Sequence, residues 1–134
     1  MSAIAGIIKF DNSEVPQGKK KIIKEVSSIF CTDRTDEIER QGLYFMCGHQ
    51  YVTREAEKDR SPIINKNEDI VFNADIFLFN RPELIEKLTK EAGLDYRALT
   101  EKGDAELAYL TYQKYGIDFV NSICQVPECQ MICD

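Results

Sequence analysis

The chain has 134 residues, 43% hydrophobic and 30% charged, which is material for one globular domain over residues 1–134. Its 17 basic and 23 acidic residues leave a net charge of -6, and without a basic face nucleic acid is excluded as a partner. No apolar run approaches the roughly 20 residues of a bilayer span, and the N-terminus lacks the basic flank of a signal peptide, so no membrane contact and a cytoplasmic location are expected.

Residues 3–10 are almost continuously apolar (Ala3, Ile4, Ala5, Ile7, Ile8, Phe10), the pattern of a strand covered on both faces. Asp11, Asn12, Pro16 and Gly18 then mark a turn-rich loop. Residues 19–30 follow helical spacing, with Ile22, Ile23, Val26, Ile29 and Phe30 on one stripe and lysines opposite, which predicts a helix packed on a sheet through that stripe. The charged segment 32–41 has no clear period and reads as an exposed connection. Residues 43–53 are β-rich, 54–67 form a polar loop, and 69–79 (DIVFNADIFLF) read as a buried strand interrupted by Asn73 and Asp75. Asn80 with Glu83 is a capping-box pattern that starts a helix running to about Gly93, and Asp104 opens another that Gly116 stops.

Five cysteines, an odd number with no C-x-x-C pair, fit reduced thiols better than a disulfide framework. Cys124, Cys129 and Cys133 cluster near the end, but their spacing matches no common zinc site, so no metal is expected. His49 is the lone histidine and reads as a hydrogen-bonded structural residue. On a strand, Asn73 and Asp75 would share a face with Val71 and Phe77. An amide and a carboxylate there need compensating protein groups, a polar ligand, or an interruption of the strand at a bulge or edge. Asp104 has a sufficient structural explanation in the helix dipole.

In order along the chain, "MSAIAG", "GHQYVT", "FNADIFLFNRPELIEKL" and "GDAELAYLTYQKYG" resemble the motif series of the N-terminal glutaminase domain of class II glutamine amidotransferases, in particular the asparagine synthetase branch. That series runs Met-Cys-Gly-Ile-x-Gly, His-Arg-Arg-Leu-Ser, Phe-Asn-Gly-Glu-Ile-Tyr-Asn, then Ser-Asp-Thr-Glu and an aromatic helix ending in Tyr-Gly. The resemblance covers residues 1–123 and leaves 124–134 as a diverged tail. It implies an α+β fold of the N-terminal-nucleophile type, a sandwich of antiparallel sheets with helices in a shortened version, and it implies hydrolysis of glutamine to glutamate and ammonia without a cofactor.

Position by position, the resemblance puts Ser2 in the nucleophile's place, with its own α-amine as base once Met1 is removed. It puts Asn73 and the backbone amide of Ala74 in the place of the oxyanion donors. Asp75 and Asp104 take substrate-binding positions, and Tyr51 stands where the family's carboxylate-gripping arginine belongs. Serine is a poorer nucleophile than cysteine, and no tyrosine replaces a bidentate guanidinium. Asp75 is one methylene shorter than the family's glutamate, and Ala3 and Ala74 replace glycines.

These departures imply an impaired or inactive glutaminase that serves as a structural or partner-binding module. The partners expected are glutamine or a related amide, a synthetase domain or protein, and a second copy of the chain through an exposed sheet edge. The competing expectation is an active N-terminal-serine amidohydrolase.

Overall fold

The computed structural model describes residues 3–30, 33–65, 67 and 70–123. Two antiparallel sheets and a set of helices make a mixed α and β architecture. The first sheet has the order β1 (Ala3–Ile8), β3 (Leu43–His49), β2 (Arg34–Arg40). The second is short, pairing β4 (Ile63–Ile64) with β5 (Val71–Phe72). None of the described helices is long and apolar enough to cross a membrane.

β2 and β3 form a hairpin in which Arg40 faces Leu43 across Gln41 and Gly42. Gly42 has φ 72°, and a Cβ there would lie 2.9 Å from the Asn12 backbone, so the turn needs glycine for both reasons. The segment expected to be an exposed connection is therefore strand β2. Its single apolar residue, Ile38, hid it, because its support comes from charge. Lys20 bonds the Glu39 carboxylate, Lys24 lies 2.8 Å from Glu37, and Tyr44 donates to Glu37 at 2.8 Å.

Those lysines belong to α1 (Gln17–Ser28), which lies across β1 and β3. The helix was expected and so was its packing on the sheet, but it is rotated. Lys20 and Ser27 are buried and Ile23 packs against Val15, Tyr44 and Met46, whereas Ile22, Val26 and Ile29 are exposed. β1 likewise is not covered on both faces: it lies at the end of the sheet, with Ile4 and Ile8 exposed.

The 69–79 run is strand only at Val71–Phe72. Beyond it the apolar side chains part company. Phe72 joins Tyr109, Tyr112 and Phe119 in an aromatic cluster, and Leu78 enters the main core. Phe77 and Phe79 are exposed and stack edge-on to each other.

The main core joins Leu78 to α3 (Arg81–Ala92), α4 (Tyr96–Thr100) and α5 (Asp104–Tyr115) through Leu84, Ile85, Leu88, Leu99 and Leu107. α3 ends at Gly93 (φ 66°), and Gly116 follows α5, as the glycine punctuation predicts. Asn80 does precede α3, yet its side chain makes no cap bond and instead donates to the Ser122 carbonyl of α6 (Phe119–Ile123).

Candidate functional site

A cleft of about 290 Å³ opens where β3 ends, between that strand, α2 (Arg54–Lys58) and the start of α5. Its lining includes His49, Thr53, Asp59, Asp75 and Asp104. Three carboxylates and an imidazole around one space raise the question of how each is held, because unpaired charge is costly to bury.

Asp104 is 3% exposed and answers the question with two partners. Arg81, at the start of α3, donates to one carboxylate oxygen, and the backbone amide of Leu78 donates to the other at 2.9 Å. The same guanidinium also donates to the carbonyls of Thr100 and Lys102, so one cation ties together the starts of α3 and α5 and the end of α4.

Asp59 is held by the N-terminus of α5. Gly103 occupies the cap position without a side chain to offer, and Asp59 supplies the missing acceptor from another part of the chain, taking the Ala105 amide at 2.8 Å. Gly103 is small for the same reason: a Cβ there would fall 2.2 Å from an Asp59 carboxylate oxygen and 2.5 Å from its Cα. Burial raises the Asp59 carboxyl to about 6, with neighbouring Asp104 and Asp75 adding to the shift and the Ala105 amide opposing it.

His49, buried at the end of β3, has Nε2 3.1 Å from the Ser61 carbonyl and 3.3 Å from Asp36. Burial lowers its pKa, so the neutral ring donates Nε2–H to Ser61. That is the structural histidine expected from the sequence. Thr53 caps α2, its hydroxyl accepting from the Ala56 amide. Among the described residues no group of His, Cys, Asp and Glu is arranged to hold a metal ion.

The residues picked out by sequence are distributed unevenly around this cleft. Asp75 and Asp104 both line it. Asn73 and Ala74 lie behind it on Ser61, which is 1% exposed. The Ser61 hydroxyl donates to Asn73 Oδ1 at 3.0 Å and accepts the Ala74 amide at 2.9 Å, while Asn73 Nδ2 donates to the Met46 carbonyl at 3.1 Å. Tyr51 is not part of the lining. Its amide bonds the Asp33 carboxylate and its ring lies under the Arg34 guanidinium, 5.9 Å away.

Ser2, and with it Cys124, Cys129 and Cys133, lies outside the described residues. Ala3, the first described residue, pairs with Gly48 beside His49, so β1 starts at the cleft end of the sheet.

No known protein family, curated protein or solved structure matches this chain. The site is therefore read from its own chemistry. Three of its organising residues, Asp59, Ser61 and Arg81, carry no signal in the sequence. Asp59 and Ser61 sit in a polar loop where any residue looks solvated, and Arg81 looks like an ordinary first-turn residue of α3.

Chemically, the cleft presents acid to solvent at Asp75 and a protonatable carboxyl at Asp59. Its deeper acid, Asp104, is neutralised by Arg81.

Proposed function

We propose that the chain is a class II glutamine-amidotransferase-like domain, a shortened relative of the N-terminal-nucleophile fold, that works in the cytosol as a structural or partner-binding module with little or no glutaminase activity. One observation carries this reading. Of the groups aligned with the oxyanion position, the Ala74 backbone amide spends its single N–H on Ser61, and the Asn73 side-chain amide gives one of its two N–H donors to the Met46 carbonyl. Oxyanion stabilisation needs donors aimed at an empty position where charge develops, and donors bonded within the fold must first give up those bonds.

Asp104 supports the same reading, since its carboxylate is bonded to Arg81 and Leu78 rather than open to an incoming ammonium group.

The test is ammonia release from L-glutamine, with intact mass measured on the same sample to establish whether Met1 has been removed. The expected result is no release above buffer even from chains that begin at Ser2. Release that disappears in Ser2→Ala and persists in Ser2→Cys overturns the proposal in favour of the active N-terminal-serine amidohydrolase.

A further inference from the structure

The two edges of the larger sheet are built differently. β2 carries Arg34, Asp36, Glu37, Glu39 and Arg40, the charged dressing by which natural sheets keep an edge from pairing with another chain. β1 reads AIAGII, with no charge, no proline and no bulge in its pairing with β3. Its outer edge is nevertheless unpaired among the described residues.

Which backbone groups point outward follows from the register. The Lys9 amide donates to the Gly42 carbonyl at 2.7 Å, in line with the β1–β3 pairing. Antiparallel ladders alternate, so Ala3, Ala5 and Ile7 direct their amides and carbonyls to β3, and Ile4, Gly6 and Ile8 direct theirs away from it.

α1 adds a second surface. Two of its four lysines, Lys20 and Lys24, reach β2. At about 100° per residue, Ile22, Val26 and Ile29 lie on the side of the helix opposite those lysines. They are 60%, 52% and 74% exposed. Phe30, just beyond the helix, and Ile4 and Ile8 on the strand are also about half exposed.

We infer that the outer edge of β1 and the apolar side of α1 are the interface of a two-fold dimer of this chain. A second copy fits because the surface is self-complementary. With the axis at Gly6, Ile4 of one copy meets Ile8 of the other in hydrogen-bonded register and the reverse pair forms by symmetry, so each outward amide finds an outward carbonyl. The two sheets become one, and both α1 stripes lie on the same face of it. No charged residue of β1 is brought against its own copy. The exposed apolar side chains lie on both faces of the joined sheet: Ile4 and Ile8 pair across the seam on the face opposite α1, and Ile22, Val26 and Ile29 belong to the helices on the other. The inference does not depend on the chemistry of the cleft.

Sedimentation velocity over a wide concentration range tests it on the whole chain. The expected mass rises from one chain to two and no further. Ile8→Lys and Val26→Glu, on different elements and both at exposed positions, are expected to weaken association roughly tenfold or more each while leaving the circular dichroism of the single chain unchanged. Amide hydrogen exchange gives a second readout: Ile4, Gly6 and Ile8 should gain protection with concentration, whereas Ala5 and Ile7 are protected throughout.

A single-chain mass at every concentration overturns the inference, as does a dimer indifferent to both substitutions or growth beyond two chains. Protection of Ile4, Gly6 and Ile8 at the lowest concentration also overturns it, because the edge would then be paired within the chain.

Discussion

Around the cleft, titratable groups go inside: Asp104 and His49 are buried, and Arg81 and Asp59 mostly so, each tied to backbone or to an opposite charge across elements distant in sequence. Along β1 and α1, hydrocarbon stays outside, with Ile4, Ile8, Ile22, Val26 and Ile29 all more than half exposed. The first arrangement tolerates little change, because each buried charge depends on a particular partner. The second asks for a cover, because exposed hydrocarbon gains free energy from any surface that shields it from water.

The sharpest way to break the cleft side is Arg81→Ala. It leaves Asp104 buried without its cation and frees the carbonyls of Thr100 and Lys102, so a loss of about 3–5 kcal/mol is expected in urea unfolding. The double variant with Asp104→Asn should recover part of that loss, since a neutral amide needs no counter-charge. Recovery is what distinguishes charge pairing from packing of the arginine stem; without it the contrast between the two flanks fails.

Ser61→Ala comes next. Its hydroxyl serves both Asn73 Oδ1 and the Ala74 amide, and removing it orphans two groups behind the cleft, at a cost of about 1–3 kcal/mol in the same measurement. It also releases the Ala74 amide. If the closed network is what suppresses chemistry at this site, the variant is the form in which ammonia release from glutamine would be recovered, at the expense of stability.

The elements these variants probe differ in how visible they are in sequence. α3 and α5 show themselves through apolar spacing and glycine stops, because their cores are regular and local. β2 does not, because seven residues with one isoleucine owe their place to lysines on α1, and no local pattern reports a cross-element ion pair. The 69–79 run misleads for the converse reason: it is largely apolar, but its apolar side chains go to an aromatic cluster, to the main core and to solvent, a division set by different surroundings. Within the site, Asp75 and Asp104 stand out in the sequence and both line the cleft, whereas Asp59 is decided by contact with Gly103 and Ala105, which sequence distance conceals.

Asp59→Asn sharpens the comparison with an effect of opposite sign. The folded carboxyl titrates near 6 against an ordinary value of 3.8, so the folded chain holds its proton more tightly. That contribution is fully present below about pH 4 and is lost as pH rises through 6. Asparagine keeps an acceptor for the Ala105 amide and carries no charge to desolvate. The variant should match the parent at pH 4 and exceed it by about 1–2 kcal/mol at pH 7.5, allowing for partial solvent screening. Its pH profile should then follow the groups with depressed values, His49 and Glu37, and rise with pH. An unchanged gap between parent and variant at the two pH values means that the Asp59 carboxyl titrates normally.

The smallest effect belongs to the hydrocarbon flank, and its size is the point. Ile22→Gln and Val26→Gln replace half-exposed side chains that touch little of their own chain, so thermal unfolding of dilute protein should move by no more than about 0.5 kcal/mol, less than a buried leucine such as Leu88 would cost. At high concentration the same substitutions should lower the unfolding temperature relative to the parent, because a dimer interface contributes stability only by mass action. A loss that appears with concentration assigns these residues to a partner surface. An equal loss at every concentration would mean that α1 already buries the stripe within one chain, and the contrast between the flanks would be false.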